Sequence, residues 1–338
     1  MNSDEKAELA KLIDTAVTGN TRKKYERHIR AFKEFCAERG MGRVGPEAVT
    51  GANMLGWLAQ MSKERQGVAT AKIRLCALTG WHRDSLGRES GAVTTNGKYA
   101  PNLSSALKGF EKIHGKPTQA MKAFTTSHLK KASVWLQAQK TDRINNAMWL
   151  SVMSTATFNL LRSSEYSCRK VASFQPEEET GAKHCTVTDQ EMKIWLNGSK
   201  TDQARKGAEL LAFPQADKDI CPIACHQRYR NLMGGRFKED GALFQLEDGS
   251  HVTRGRIDAK LRQVLRAIGV NPAGYASHSF RIGGRTSLLE SGVVDSVVDV
   301  IGRWGSNTVN RTYARTTRKL LREAQEKMTQ QASRPEPG

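Results

Sequence analysis

His278-Ser279-Phe280-Arg281-Ile282-Gly283-Gly284, then Ile301-Gly302-Arg303-Trp304, then Arg311-Thr312-Tyr313-Ala314-Arg315, is the densest run of chemistry-bearing side chains in this 338-residue chain. His278 and Arg281 stand three apart, so on a helix they project from one face. Gly283 and Gly284 allow another backbone to approach closely. Gly305-Ser306-Asn307 reads as a turn between Trp304 and Tyr313. Working outward, Arg162 closes a long apolar run in Leu160-Leu161-Arg162-Ser163-Ser164-Glu165, and Lys200 follows the Asn197-Gly198 turn signal. Two arginines, a lysine, a histidine and a tyrosine are what metal-free phosphodiester chemistry requires. Arginine forks bind phosphate oxygens and stabilise charge as the pentacoordinate state forms. A tyrosine can attack phosphorus if a neighbour takes its proton, and a general acid must protonate the leaving alkoxide.

The balance of charge points the same way. Lys and Arg number 53 against 34 Asp and Glu, a net +19. Such an excess predicts a polyanionic partner, with nucleic acid first and an anionic membrane surface as the competitor. The chain lacks a basic amphipathic helix with exposed aromatics, which weighs against the membrane surface. Met1-Asn2-Ser3-Asp4-Glu5 is acidic, unlike a secretory signal. The run from Met148 to Leu161 is too short and too polar to span a bilayer. Six Cys in a chain of this length suit a reducing compartment better than a disulfide framework. The expectation is an intracellular, DNA-associated protein, nuclear in a eukaryote and in the cytoplasm or nucleoid of a prokaryote.

The fold class expected is mainly α with a small antiparallel β-sheet, in two domains. From Asn20 onward, Tyr25, Ile29, Phe32 and Cys36 form one apolar helical face. The opposite face carries Arg22, Lys23, Lys24, Arg27, Arg30 and Lys33, the candidate DNA-binding residues. Further helices are expected over Pro46–Lys63, Val68–Ser85 and Asn102–Ile113. His114-Gly115-Lys116-Pro117 is the linker candidate. Beyond it, Leu129, Ala132 and Leu136 mark a new amphipathic helix, and Asp142–Ser163 reads as one long, buried helix. Met192, Ile194 and Leu196 then alternate with polar neighbours as a strand, with Gly207–Phe213 returning, so Lys200 falls in a hairpin loop. After Tyr313, Leu320, Ala324 and Met328 step by four along a charged C-terminal helix.

These motifs together resemble the C-terminal signature of the tyrosine recombinases, the phage-integrase family. The arginine box around Arg162 and the hairpin lysine, in Gly198-Ser199-Lys200-Thr201-Asp202, are similar to that family's own. The resemblance implies an all-helical, SAM-like core-binding domain over 1–115, a linker over 116–121, a mixed α/β catalytic domain over 122–331 and a disordered tail over 332–338. It implies Tyr313 as nucleophile, forming a 3′-phosphotyrosyl bond, with Arg162 and Arg281 clamping the phosphate. Lys200 would be the general acid, and His278 would assist proton transfer. Trp304 stands where many relatives carry His; an indole donates a hydrogen bond but cannot shuttle protons. Glu165 takes a supporting role. Neither metal nor other cofactor is implied. Duplex DNA is the implied partner, with self-association, as a tetramer, through the C-terminal helix. The wording around Lys200 is reminiscent of mobile-element recombinases.

Alternatives stand beside several assignments. Lys206 rivals Lys200, and Tyr275 and Tyr166 rival Tyr313 on chemistry alone. His278 and Trp304 could serve as ordinary structural residues, and the C-terminal stripe could dock on its own domain. Cys221, Cys225 and His226, with His184 and Cys185, invite a zinc reading, although the spacing is not a standard finger pattern. At the level of function, a type IB topoisomerase or telomere resolvase would share the nucleophile chemistry. An inactive DNA-binding relative would share only the fold.

Overall fold

The apolar face that begins near Asn20 folds into helix α1, Gly19–Ala37, with Phe32, Phe35 and Cys36 buried. The computed structural model describes residues 4, 5, 8, 12, 19–42, 44–94, 96–117, 120–197, 207–304 and 318–332. The chain divides into two compact units, Met1–Thr118 and Gln119–Gly338.

In the first unit α1 is followed by α2 (Gly51–Lys63), α3 (Val68–Leu86) and α4 (Pro101–His114). The helix expected from Pro46 is interrupted. Pro46–Ala48 is one 3-10 turn, and Thr50 then adopts an extended backbone and caps α2 by accepting from Asn53 N at 3.2 Å. A threonine that satisfies an orphan helix donor restarts the helix at that point. Trp57 of α2 packs on Phe32, ring centroids 5.3 Å apart, in a core that also holds Met54, Leu75, Leu78, Leu103 and Phe110.

The second unit is built around α6, Arg143–Phe158, in which every residue from Asn146 to Phe158 is buried. Around it lie α5 (Thr126–Ala138), α7 (Pro222–Met233), α8 (Arg254–Ala267), α9 (Ser279–Glu290), α10 (Asp295–Gly302) and α11 (Arg318–Ala332). Two buried serines of α6 find partners: Ser154 Oγ donates to Ile220 O at 2.5 Å, and Ser151 Oγ pairs with His226 Nδ1 at 3.2 Å. A three-stranded antiparallel sheet runs in the order β1 (Cys185–Val187), β2 (Met192–Leu196), β3 (Ala208–Ala212). Met192, Ile194 and Leu196 face the core, as their alternation requires, and Trp195 faces outward. The first strand is absent from the sequence reading because three residues are too few for a period-2 signal.

Two expectations are corrected. The buried helix ends at Phe158 rather than Ser163. Leu160 there takes a positive φ of 47°, a left-handed backbone that no helix can continue through, and Leu161 and Leu160 are both fully buried. The C-terminal helix runs from Arg318 to Ala332, so Ala332 is helical, and 333–338 lie outside the described residues. Its stripe is seated on its own unit: Ala324 and Met328 join the core, while Leu320 stays 42% exposed. Buried Gln325 fixes the seat, since Phe213 N donates to its Oε1 at 2.8 Å and its Nε2 donates to Leu211 O at 2.9 Å.

Candidate active site

The turn after α6 and the start of α9 build the site, Leu160 and Arg281 lying 121 residues apart in sequence. Arg281, on α9, is 2% exposed and donates to the carbonyls of Leu160 and Gly302. Both carbonyls are available because α6 ends early and α10 ends at Gly302. The close approach needs two glycines. A Cβ on Gly283 would meet Phe124 O at 1.8 Å, and one on Gly284 would meet Thr157 O at 2.2 Å. Trp304 covers the guanidinium of Arg281, its ring centroid 4.4 Å from Cζ, with Arg285 at 5.5 Å. Burial, with Arg162 and Arg303 nearby, lowers the Arg281 pKa to about 10, which still leaves it charged at neutral pH.

Glu165 sits at the centre, its side chain 1% exposed. Its Oε1 accepts from Arg162 Nη1 at 3.0 Å, and its Oε2 accepts from the Arg162 backbone N–H at 2.8 Å and from Arg303 Nη2 at 2.6 Å. A buried carboxylate is tolerable only when paired and hydrogen-bonded in this way. One carboxylate among three arginines leaves the cluster cationic and suited to an oxyanion.

His278 is exposed at the N-terminus of α9. Its backbone is held on the preceding residue: Ser277 N donates to Asp258 Oδ1 at 2.6 Å, and Ser277 O accepts from Tyr166 Oη at 3.1 Å. Partial burial, then Arg281, Arg162 and Arg254, push its pKa below the usual imidazole value. Its neutral form can therefore accept a proton at neutral pH.

The structure thus brings together Arg162, Glu165, His278, Arg281 and Trp304. Lys200, its rival Lys206, and Tyr313 lie outside the described residues. Tyr166 is fully buried, and burial drives its phenol far above the ordinary range, so it is no nucleophile as it stands. Tyr275 is also buried, with Lys122 Nζ 5.8 Å from its ring. Cys221, Cys225 and His226 are core residues, the Cys225 thiol donating to Asp219 O at 3.4 Å. Among the described residues no group of three or more His, Cys, Asp and Glu is placed to hold a metal ion, and no helix is long and apolar enough to cross a membrane. Lys23, Lys24, Arg27, Arg30 and Lys33 are exposed on α1, and Arg22 is partly so.

No family model and no curated protein matches the sequence. Solved structures do match. The integrase of the Tn1549 transposon, in complex with a circular-intermediate DNA, superposes with a TM-score of 0.53 at 13% identity, over 88% of this chain and 89% of that one. The XerH site-specific recombinase bound to its difH substrate gives 0.52 at 15% identity, over 90% and 78%. A lambda integrase dimer bound to a core site gives 0.52 at 14%, over 91% and 93%. The fold is that of the tyrosine recombinases.

On this tyrosine-recombinase fold, Arg303 and Leu160 stand out as residues the sequence reading passed over. Arg303 was visible inside Ile301-Gly302-Arg303-Trp304, but nothing in the motif gives it a role. Its left-handed backbone (φ 56°) and its bond to Glu165 arise only in the folded chain. Leu160 supplies a carbonyl rather than a side chain, and no residue-type pattern signals that.

Proposed function

We propose that this chain is a site-specific DNA recombinase or integrase that cleaves and rejoins DNA through a 3′-phosphotyrosyl intermediate. Tyr313 Oη attacks the scissile phosphorus, the bond from phosphorus to the 5′-oxygen breaks, and a 5′-hydroxyl leaves. His278 accepts the tyrosine proton and Lys200 protonates the departing oxygen. Arg162 and Arg281 hold the non-bridging oxygens, Trp304 packs on Arg281, and Glu165 positions the arginines. The bond energy stays in the protein–DNA ester, so religation needs neither ATP nor metal. Exchange between two duplexes proceeds through a Holliday junction, in a mobile-element integrase rather than a chromosome-dimer resolvase.

The observation that carries this reading is the convergence of Arg162 and Arg303 on one buried carboxylate, with Arg281 and His278 beside it, on a fold shared with DNA-bound integrases. In the same reading the helical half (1–115) and the catalytic half (122–331) both bind the duplex, the basic residues Arg22 to Lys33 gripping phosphates. The C-terminal helix, seated on its own unit in the single chain, passes to a neighbour in a tetramer.

The test uses nicked duplexes drawn from DNA flanking the coding region, incubated in EDTA without ATP and then denatured. A covalent adduct at a 3′-phosphate, lost in Tyr313→Phe, is expected. DNA binding without an adduct favours an inactive binder. An adduct surviving in Tyr313→Phe overturns the nucleophile. Supercoil relaxation without exchange between sites favours a topoisomerase.

A further inference from the structure

Arg303 is the more enclosed of the two arginines bonded to Glu165. Its side chain is 14% exposed, and its Nη2 lies 2.6 Å from Glu165 Oε2. Its Nη1 donates at 3.4 Å to Asn159 O and to Ile301 O. One side chain therefore ties the turn after α6 to the end of α10. The division of the carboxylate is the telling feature. Glu165 gives Arg162 only Oε1 on the guanidinium side, while Oε2 is taken by Arg303 and by the Arg162 backbone.

Without Arg303, only the Arg162 backbone N–H would hold Oε2 back from a two-oxygen grip on the Arg162 guanidinium. An arginine–carboxylate fork is the geometry that such a pair prefers, and it would occupy two adjacent guanidinium nitrogens. With Arg303 in place, Arg162 gives one nitrogen to Glu165 and offers its remaining N–H groups to an incoming oxyanion. We propose that Arg303 is a positioning residue of the phosphate site, holding one oxygen of Glu165 so that Arg162 stays open to substrate. The inference rests on reading this cluster as a phosphate site. Burial lowers the Arg303 pKa, but its pairing with Glu165 opposes that shift.

The test separates this role from a general structural one. The full chain, labelled with 15N-arginine, is titrated with inorganic tungstate, a tetrahedral oxyanion, and followed by the guanidinium signals. Arg303→Met is expected to weaken tungstate by ~10-fold or more, the scale of one charge-assisted hydrogen bond. Adding Glu165→Gln to that variant removes the competing carboxylate and should restore affinity to within about threefold of wild type. Arg303→Lys should fall between, because an ammonium cannot reach Glu165 and Asn159 O together. A double variant as weak as Arg303→Met, or an Arg303→Met chain that binds like wild type, overturns the inference. So does a wild-type chain that binds no tungstate.

DNA adduct formation runs alongside to keep the two readings apart. The loss-and-rescue pattern without any adduct leaves Arg303 positioning an anion site and overturns the recombinase reading. Equal adduct rates in wild type and Arg303→Met, with thermal melting showing both folded, overturn the Arg303 role alone.

Discussion

Along α1 the cations Lys23, Lys24, Arg27, Arg30 and Lys33 stand exposed, whereas Arg281 is 2% exposed and Arg162 and Arg303 are tied to a buried glutamate. Residues of one charge thus work under two regimes. Exposed cations are screened by salt and nearly interchangeable, so they contribute affinity in small increments. Enclosed cations act at low effective dielectric in a single geometry, so each is specific and costly to lose. The surrounding backbone repeats the contrast. Gly109 on α4 has open space where a Cβ would go, while Gly284 on α9 is pressed against Thr157 O.

The sharpest attempt to break the comparison is Arg281→Ala. Single-turnover adduct formation should fall by ~10²–10³-fold or more, the usual scale for losing a preorganised charge donor. Arg281→Lys should fare little better, because one ammonium cannot satisfy both Leu160 O and Gly302 O. Activity surviving either change would erase the distinction between the two regimes.

The glycines give a stability version of the same contrast. Gly284→Ala should cost about 1–3 kcal/mol through overpacking against a backbone carbonyl. Gly109→Ala in an unobstructed helix should instead stabilise by roughly 0.5–1 kcal/mol. Denaturant midpoints moving in opposite directions would confirm the difference; movement together would refute it.

His226 sharpens the comparison through pH. Burial, and then Arg230, lower its pKa from the ordinary 6.5 to about 3, so the unfolded chain binds the extra proton first. This contribution to stability is complete above pH 6.5 and is lost as pH falls toward 3. Between pH 7.5 and pH 5 the loss attributable to His226 should be about 2 kcal/mol by linkage. Denaturant curves of wild type and His226→Phe at both values measure it. An identical pH dependence in the two proteins would contradict the assignment.

The smallest effect belongs to α1. Arg27→Ala should weaken DNA binding severalfold and reduce the slope of log affinity against log salt by ~0.9, one phosphate's worth. A loss as large as that of Arg281→Ala would show that α1 is not the diffuse surface inferred here.

Much of this molecule was legible before folding. The face Ile29–Phe32–Cys36, the alternation Met192–Ile194–Leu196 and the Gly283-Gly284 pair reach the structure as read, because each depends on local periodicity or on the absence of a Cβ. The failures have a common character. Thr50 interrupts a helix through a cap, and Leu160 ends α6 with a positive φ.

By itself the sequence determined which residues of reactive type are present, their order along the chain, and most of the helices and strands of the scaffold. Tertiary structure alone decided that Leu160 O meets Arg281 across 121 residues and that Glu165 is shared with Arg303 across 138. Periodicity encodes which face of an element is buried. It says nothing about which buried charge will meet which distant partner, because that depends on how the packed elements close around it.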